Sequence, residues 1–159
     1  MRILIVKTSS MGDVVHALPA VSDIHRCHPG VEIDWMVEAP FAAIPALHPA
    51  VRRVLPMAWR KWRKSLWRGA TRQALSALRQ ALRREPYDLI LDLQGLLKSA
   101  LIARQASGRH YGYAAEVARE PLAARFYDET FVIPPNAHAV ERNPWLSAAA
   151  FDYPVDLPL

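Results

Sequence analysis

The first apolar run of the sequence, residues 3–6, ends abruptly in a short polar turn that includes Ser9 and Ser10. A short, continuous apolar run is typical of a parallel strand whose two faces are both covered by helices. Gly12 and Asp13 follow the turn, and a helical pattern begins there. Because ligands of parallel sheets bind at the carboxyl ends of the strands, the pattern predicts a buried strand that places Asp13 at a binding edge.

Strand-like and helix-like patterns alternate along the rest of the chain. We predict strands over residues 2–7, 31–37, 51–55, 87–93, 109–113 and 129–133. We predict helices over residues 41–47, 70–84, 96–105, 118–126 and 140–151, with residues 56–69 irregular. Such alternation indicates βαβ units, so the predicted fold class is α/β, a Rossmann-like parallel sheet of about six strands flanked by helices.

Pro19 interrupts the helical pattern that follows the first strand. Proline removes a backbone donor and clashes with the carbonyl four residues earlier, so it is poorly tolerated inside a helix. Two arrangements fit the sequence. The helix is kinked at Pro19, or its regular part begins near Leu18 and Pro19 occupies the first turn.

Composition limits the class of protein. A chain of 159 residues with 52% hydrophobic and 22% charged residues is expected to form one domain with a substantial core. Cys27 is the single cysteine, which excludes an internal disulfide and a cysteine-based zinc cluster and suits a reducing cytoplasm. His110 and His138 lack metal-ligand spacing, so we predict no metal site. We predict neither a signal peptide nor a membrane span, because the apolar runs are far shorter than ~18 residues.

Positive charge is concentrated in one stretch, although the net charge of the whole chain is only +5. Residues 39–84 contain 11 of the 20 basic residues and no Asp or Glu. The remainder therefore carries 9 basic against 15 acidic residues, a net charge of −6. Such a concentration of positive charge indicates the chemistry of a binding partner rather than the type of fold. It indicates an anionic ligand: phosphate, carboxylate, nucleic acid or acidic lipid.

Within this stretch, residues 59–68 interleave tryptophans with basic side chains. Arginines there can hold phosphates or carboxylates through paired hydrogen bonds. The same composition also suits an anionic membrane interface, or nucleic acid bound by phosphate contacts and base stacking. The alternative without a ligand is a solvated basic surface over tryptophans that cover the core, and the lack of acids for charge balance counts against it.

Candidate catalytic and binding residues lie at the carboxyl ends of the first and fourth predicted strands. Asp13 is either a helix cap or a base that takes a proton from a bound hydroxyl. The turn of residues 8–12 lacks the Gly-x-Gly-x-x-Gly of a dinucleotide cradle, and its hydroxyls either bind a sugar or phosphate or are simply turn residues. Gln94 and Lys98 belong to the same predicted edge and are candidates to face the same cleft.

Five ordered segments spread over nearly the whole chain belong to a recognisable pattern. They are residues 1–16, residues 60–64, the run Asp-x-Gln-Gly-Leu-x-Lys-Ser at 92–99, residues 118–123, and His-Ala-Val-Glu-Arg at 138–142. Together they resemble the lipopolysaccharide heptosyltransferase I family of GT-B glycosyltransferases. The resemblance implies two Rossmann-like domains that face each other across a cleft. Residues 1–151 would form the N-terminal, acceptor-binding domain, and residues 152–159 would begin a linker to a C-terminal donor-binding domain.

The resemblance also implies an activity. Members of the family transfer heptose from ADP-L-glycero-β-D-manno-heptose to the first Kdo of Kdo₂-lipid A, with inversion and without a required metal or other cofactor. The donor would be bound mainly by the C-terminal domain, so this chain alone is expected to be inactive. On the matching position, Asp13 would be the general base that activates the Kdo hydroxyl.

An acceptor-binding set follows from the same resemblance. Arg60, Arg63 and Lys64 would hold the phosphates and Kdo carboxylates, with Arg119 and Arg142 as supporting contacts. The full set of predicted acceptor-binding residues is Ser9, Ser10, Gly12, Arg60, Lys61, Arg63, Lys64, Gln94, Lys98, Arg119 and Arg142.

The expected partners are Kdo₂-lipid A and the anionic inner-membrane surface, with no role for nucleic acid. The protein is expected to be a monomer, cytoplasmic and peripheral on the cytoplasmic face of the inner membrane. Two alternatives stay open. One is an α/β module that binds an anionic membrane or nucleic acid, and the other is a related heptosyltransferase with a different inner-core acceptor.

Overall fold

The computed structural model describes residues 1–155, which contain one parallel sheet of six strands. The strands are β1 Arg2–Val6, β2 Glu32–Glu38, β3 Val51–Met57, β4 Leu89–Asp92, β5 Arg109–Tyr113 and β6 Glu129–Phe131. Their order is β3-β2-β1-β4-β5-β6, so the predicted α/β class and the number of strands are confirmed. The order reverses between β1 and β4, and in open sheets of this type ligands bind at such a reversal.

Helices cover both faces of the sheet because the strand side chains alternate between two cores. The helices are α1 Met11–Val15, α2 Leu18–Cys27, α3 Ala43–Ala46, α4 Trp59–Trp62, α5 Gly69–Arg83, α6 Leu97–Ala103 and α7 Ala139–Phe151. Ile3 and Ile5 pack into one core with α1, α2 and α7. Leu4 and Val6 pack into the other with α4 and α5. The near-continuous apolar run of β1 is thus buried from both sides, as a central parallel strand requires.

Pro19 is at the start of a separate helix. The first helix ends at Val15, and α2 begins at Leu18 with Pro19 in its first turn. The second of the two predicted arrangements is therefore correct. The missing N–H of Pro19 has no cost there, because the first N–H groups of a helix have no intrahelical partner. As a result, Asp13 belongs to a short helix of its own at the edge of the sheet.

Two segments differ from their predicted structure. Residues 56–69 were expected to be irregular, but β3 continues to Met57 and α4 follows. Pro56 is tolerated because β3 is an edge strand and needs no donor on its outer side. The helix expected over residues 118–126 is instead a 3₁₀ helix, Pro121–Phe126. Glu120, directly before the proline, has an extended backbone, because a following proline disfavours the helical conformation.

The last described helix, α7, ends at Phe151. Pro144 lies inside this helix. Residues 156–159 of the predicted linker lie outside the described residues. Among residues 1–155, no helix combines the length and the apolar character that crossing a membrane requires.

Candidate active site at the carboxyl edge of the sheet

Asp13 is the third residue of α1; Ser10 donates to one of its carboxylate oxygens, and Arg119 donates to both. Oδ2 accepts the backbone N–H of Ser10 at 3.0 Å and the Ser10 hydroxyl at 3.2 Å. Oδ1 accepts a hydrogen bond from Nη2 of Arg119 at 2.8 Å. The side chain is still 20% exposed. Asp13 therefore caps its helix and also faces a cleft, so the cap and the base interpretations do not exclude each other.

The surroundings of Asp13 keep its carboxyl group ionised. Burial alone would raise its pKa, but the Ser10 N–H, the Arg119 guanidinium and the positive charge of Lys7 outweigh burial and lower the pKa below its ordinary value. A carboxylate that is ionised at neutral pH and borders a cleft can accept a proton from a bound hydroxyl.

Lys7 is a site residue that the sequence interpretation missed. Only 4% of it is exposed, and its Nζ donates to the carbonyl of Leu93 at 2.9 Å. Burial lowers the pKa of Lys7 to about 8, although the negative charge of Asp13 opposes this shift. At neutral pH the buried ammonium is therefore largely protonated and adds a fixed positive charge behind Asp13. The available signal was a lysine directly after the apolar run of residues 3–6.

Gln94 joins the loops that follow β1 and β4. Its Oε1 accepts the backbone N–H groups of Thr8 at 3.0 Å and of Ser9 at 3.3 Å. The next residue, Gly95, has a φ of +67°, and an added Cβ would lie 3.1 Å from the ring of Tyr113. Glycine is thus needed for this loop to place Gln94 over the first turn. The predicted proximity of Gln94 to the Asp13 loop is present in the structure.

Asp92 fixes the conformation of the same loop through hydrogen bonds. It is buried, and it accepts the N–H groups of Gln94 at 2.8 Å and Gly95 at 3.2 Å. The hydroxyls of Ser99 and Tyr127 donate to its second oxygen at 2.9 and 2.8 Å. Burial raises the pKa of Asp92 against the effect of these four donors. Its contacts are all within the protein, so Asp92 positions the loop.

Arg119 and Arg142 both line the cleft that contains Asp13. The guanidinium of Arg142 donates to the carbonyl of Val117 and lies over the ring of Tyr113, 5.1 Å from its centre. The remaining lining comes from Lys7, Leu93, Gln94, Tyr113, Ala139 and Asn143. The cleft has room of about 20 Å³, which suits one water-sized group such as a hydroxyl.

The other predicted residues lie along the same edge of the sheet. Ser9 is buried, whereas Ser10 and Gly12 are exposed in the loop before Asp13. The basic segment, residues 59–68, follows the carboxyl end of β3, two strands away from β1. Its members Arg60, Lys61, Arg63 and Lys64 are all exposed, and within residues 1–155 none of them forms a salt bridge. Lys98 does not line the Asp13 cleft but borders a separate groove with Trp59.

Not every cation of the acid-free stretch, residues 39–84, is available to a ligand. Arg52 and Arg53 belong to this stretch, but both pair with the buried carboxylate of Asp34, at 2.9 and 2.8 Å. They are the second and third residues of β3, at the amino end of the sheet and away from Asp13. The positive charge that remains available to an anionic ligand therefore lies in residues 60–68 and in α5.

Replacing Arg119 with glutamine is expected to raise the pKa of Asp13 toward its ordinary value of 3.8, because the positive charge and the guanidinium hydrogen bonds to both carboxylate oxygens are lost. The depressed pKa means that ionised Asp13 stabilises the fold above that value, and this stabilisation is lost as the pH falls through the folded pKa. An NMR titration of the side-chain carboxyl measures the shift. Arg125→Gln, an exposed arginine of the neighbouring 3₁₀ helix, is the control. Equal Asp13 titrations in the two variants would contradict the assigned role of Arg119.

Comparisons with known proteins identify a matching family and several similar relatives. Residues 75–158 match the family model described as glycosyltransferase family 9 (heptosyltransferase). Lipopolysaccharide heptosyltransferase 1 of Pseudomonas aeruginosa is 49% identical over 156 residues, which cover 98% of this chain and 44% of that protein. The protein of the same name from Escherichia coli K12 is 49% identical over 154 residues, 96% of this chain and 48% of that one.

A solved structure is similar over the whole sheet. It is an E. coli heptosyltransferase with ADP, which superposes with a TM-score of 0.96 at 46% identity and covers 99% of this chain and 50% of that one. The chain thus spans about half the length of the relatives that it matches.

Proposed function

Because this chain belongs to glycosyltransferase family 9, the heptosyltransferases, we propose that it is the acceptor-binding half of an enzyme that transfers L-glycero-D-manno-heptose from ADP-heptose to the first Kdo of Kdo₂-lipid A. The observation that carries the proposal is an ionised Asp13 at the reversal of the strand order, along the same edge as an exposed basic segment. The relatives are named lipopolysaccharide heptosyltransferase 1, which supports heptose transfer in the synthesis of lipopolysaccharide.

In the proposed reaction, Asp13 takes a proton from an acceptor hydroxyl. That hydroxyl enters the cleft and replaces the hydroxyl of Ser10 as a donor to Oδ2, since the hydroxyl makes the longer of the two contacts of Ser10 with this oxygen, at 3.2 Å against 3.0 Å for the backbone N–H. The oxygen attacks the anomeric carbon of the heptose as its proton passes to the carboxylate. The bond from that carbon to the diphosphate breaks, and ADP leaves from the opposite face, which inverts the configuration.

Lys7 and Arg119 would act on Asp13 rather than on the acceptor. Their positive charges keep the carboxylate ionised and ready to accept the proton. Arg119 also fixes its direction through Oδ1. The donor sugar would be held by the second domain that the longer relatives contain, so the two halves together form the complete site.

The proposed location is the cytoplasmic face of the inner membrane, where the protein is peripheral. Leu66 and Trp67 are 48% and 71% exposed, and both lie within the basic segment. Exposed tryptophan and leucine among cations suit an anionic membrane interface. The same cations would bind the phosphates and carboxylates of the acceptor, which is itself part of that membrane.

Charge reversal of Arg60, Arg63 and Lys64 to glutamate tests the acceptor assignment. We expect the KM for the acceptor to rise about tenfold or more at low salt, because three attractive contacts become repulsive. The difference should shrink near 1 M salt, where the Debye length is only about 3 Å. Steady-state kinetics at two ionic strengths measure both effects.

A matched control is needed for the change in net charge. The control variant reverses three exposed arginines elsewhere on the surface: Arg84, Arg109 and Arg125. An equal rise in KM for the two triple variants, or a rise that is independent of salt, would count against a binding role for the basic segment.

A further inference from the structure

The first two turns of α7 place a buried side-chain amide beside the loop that carries Asp13. Asn143 is only 2% exposed, and it lines the Asp13 cleft together with Arg142 of the same helix. The proposed proton transfer does not use this amide. A buried amide costs free energy unless its donors and its acceptor are hydrogen-bonded, so its partners indicate what it does in the protein.

The Asn143 amide joins two elements that meet at the cleft. Its Nδ2 donates to the backbone carbonyl of His16 at 3.2 Å, and its Oδ1 accepts from the hydroxyl of Tyr113 at 3.2 Å. Because a carbonyl oxygen can only accept, His16 selects the amide nitrogen and leaves the amide oxygen for Tyr113. Tyr113 is itself a buried residue of β5. The amide therefore connects β5 and α7 with the end of α1.

The helix α1 depends on contacts of this kind. It comprises only Met11–Val15, and a helix of little more than one turn is not stable by itself. The contact between Asp13 and the N–H of Ser10 holds its amino end. The last carbonyls of a helix have no partner within the helix, and Asn143 supplies one for His16, which caps the carboxyl end. Both ends of the helix that carries Asp13 are thereby held.

We propose that Asn143, oriented by Tyr113, is a positioning residue for the transfer reaction: it fixes the carboxyl end of α1 and so holds Asp13 where it takes the proton of the acceptor hydroxyl. The inference rests on the proposed function and adds a residue on which that function depends. Asp13 has to meet a hydroxyl in a space of about 20 Å³ while it keeps its contact with Arg119 at 2.8 Å. A displacement of about 1 Å in such a geometry lowers a rate about 10²-fold.

Steady-state kinetics of the full-length Asn143→Ala variant test this role. We expect kcat to fall about 10- to 100-fold, because Asp13 is displaced. The KM for the acceptor should stay unchanged, because the contacts proposed for its anionic groups lie in the basic segment. Equal kcat values for Asn143→Ala and the wild type would overturn the proposal.

The matched control is Ser147→Ala, which removes a buried hydroxyl from the same helix. Ser147 donates to the carbonyl of Pro144 at 3.0 Å and accepts from the hydroxyl of Tyr153 at 2.8 Å, so neither of these bonds involves α1. Its loss should destabilise the fold and leave kcat at the value of the wild type. Equal losses of kcat in Ser147→Ala and Asn143→Ala would reduce Asn143 to a structural residue and overturn the proposal.

Tyr113→Phe is a milder variant that keeps the Asn143 amide and removes the hydroxyl that orients it. We expect its kcat to fall less than that of Asn143→Ala. In the variant that combines both changes, kcat should equal that of Asn143→Ala alone, because the hydroxyl acts through the amide. Losses that multiply in the combined variant would overturn the proposed connection from Tyr113 through Asn143 to α1.

An NMR titration of the Asp13 carboxyl tests the positioning without any acceptor. The charged groups that face Asp13 in the cleft are Lys7, Arg119 and Arg142, and Asn143→Ala removes none of them. The pKa of Asp13 should nevertheless rise toward its ordinary value of 3.8, because a displaced carboxylate loses part of its contact with Arg119. The control variant should leave this pKa unchanged. An unchanged Asp13 titration in Asn143→Ala would overturn the proposal.

The two measurements also separate this proposal from the proposed function. Transfer by the wild type with an undiminished kcat in Asn143→Ala would overturn the positioning role and leave the proposed function standing. Absence of transfer by the full-length wild type would overturn the proposed function and, with it, the role of Asn143 in that reaction, whatever the titration shows.

Discussion

Replacing Asp13 with asparagine is expected to reduce kcat for heptose transfer by about 10²- to 10⁴-fold, the range typical of a lost general base. The amide keeps the size of the side chain and one oxygen that can accept from Ser10. It cannot accept a proton from the acceptor hydroxyl at neutral pH. The loss should therefore appear in kcat, while the affinity for the acceptor, measured by direct binding, persists.

The matched control is Asp23→Asn, which changes a carboxylate to an amide in α2, where Asp23 pairs with Arg26, three residues further along, at 2.9 Å. Its kcat should equal that of the wild type. Circular dichroism of both variants checks that the fold is intact. Turnover by Asp13→Asn at the rate of the wild type would eliminate Asp13 as the base.

Replacing Asp34 with alanine is expected to lower the free energy of unfolding by about 3–5 kcal/mol, as when one partner of a buried ion pair is removed. Asp34 is fully buried and accepts hydrogen bonds from Arg52, Arg53 and the hydroxyl of Tyr87, the last at 2.7 Å. Without the carboxylate, two guanidinium groups and a buried hydroxyl lose their common partner. Urea denaturation measures the change.

Glu32→Ala is the comparison for this second prediction, because Glu32 is a half-exposed carboxylate that pairs with Arg2 at 2.9 Å. Surface pairs of this kind contribute about 0–1 kcal/mol. Burial alone would raise the pKa of Asp34, but Arg52, Tyr87 and Arg53 lower it below its ordinary value. The stabilisation is therefore present above that value and is lost as the pH falls through the folded pKa. Losses of equal size in Asp34→Ala and Glu32→Ala would contradict this role.

The fold could be predicted because its strands are encoded locally. The run from Ile3 to Val6 is apolar at every position, and only a strand covered on both faces buries all of it. The conformation at Pro19 could not be chosen from sequence, because both arrangements satisfy the local rules. Contacts from the other end of the chain contribute to the choice. Asn143 of α7 donates to the carbonyl of His16, which lies between α1 and α2, at 3.2 Å.

Parts of the candidate site were predictable for the same local reason. Asp13 and Gln94 each follow a strongly apolar strand, and the carboxyl ends of parallel strands meet at one edge of the sheet. Arg119 contacts Asp13 from 106 positions further along the chain, so only the resemblance to a family could indicate it. Lys7 was missed because its place in the site depends on a distant contact. Its buried Nζ donates to the carbonyl of Leu93, which follows the neighbouring strand β4.

The charge pattern was only partly informative, because a count along the chain ignores strand register. Asp34 lies outside the acid-free stretch in sequence, but in the parallel pairing of β2 with β3 it is opposite Arg53. Two arginines that looked available to a ligand are therefore neutralised inside the fold. The cations of residues 60–68 follow the end of β3 and have no such strand partner within the described chain.

We propose that this chain presents the hydroxyl of a lipid-linked Kdo to a heptose donor. The most direct test is an assay of the full-length protein with ADP-heptose and a Kdo₂-lipid A analogue, read by mass spectrometry of the lipid and by release of ADP. We expect one heptose to be added per ADP released, and we expect the lipid product to form about 10²- to 10⁴-fold more slowly in Asp13→Asn. Release of ADP without a heptosylated lipid, or no consumption of ADP-heptose at all, would contradict it.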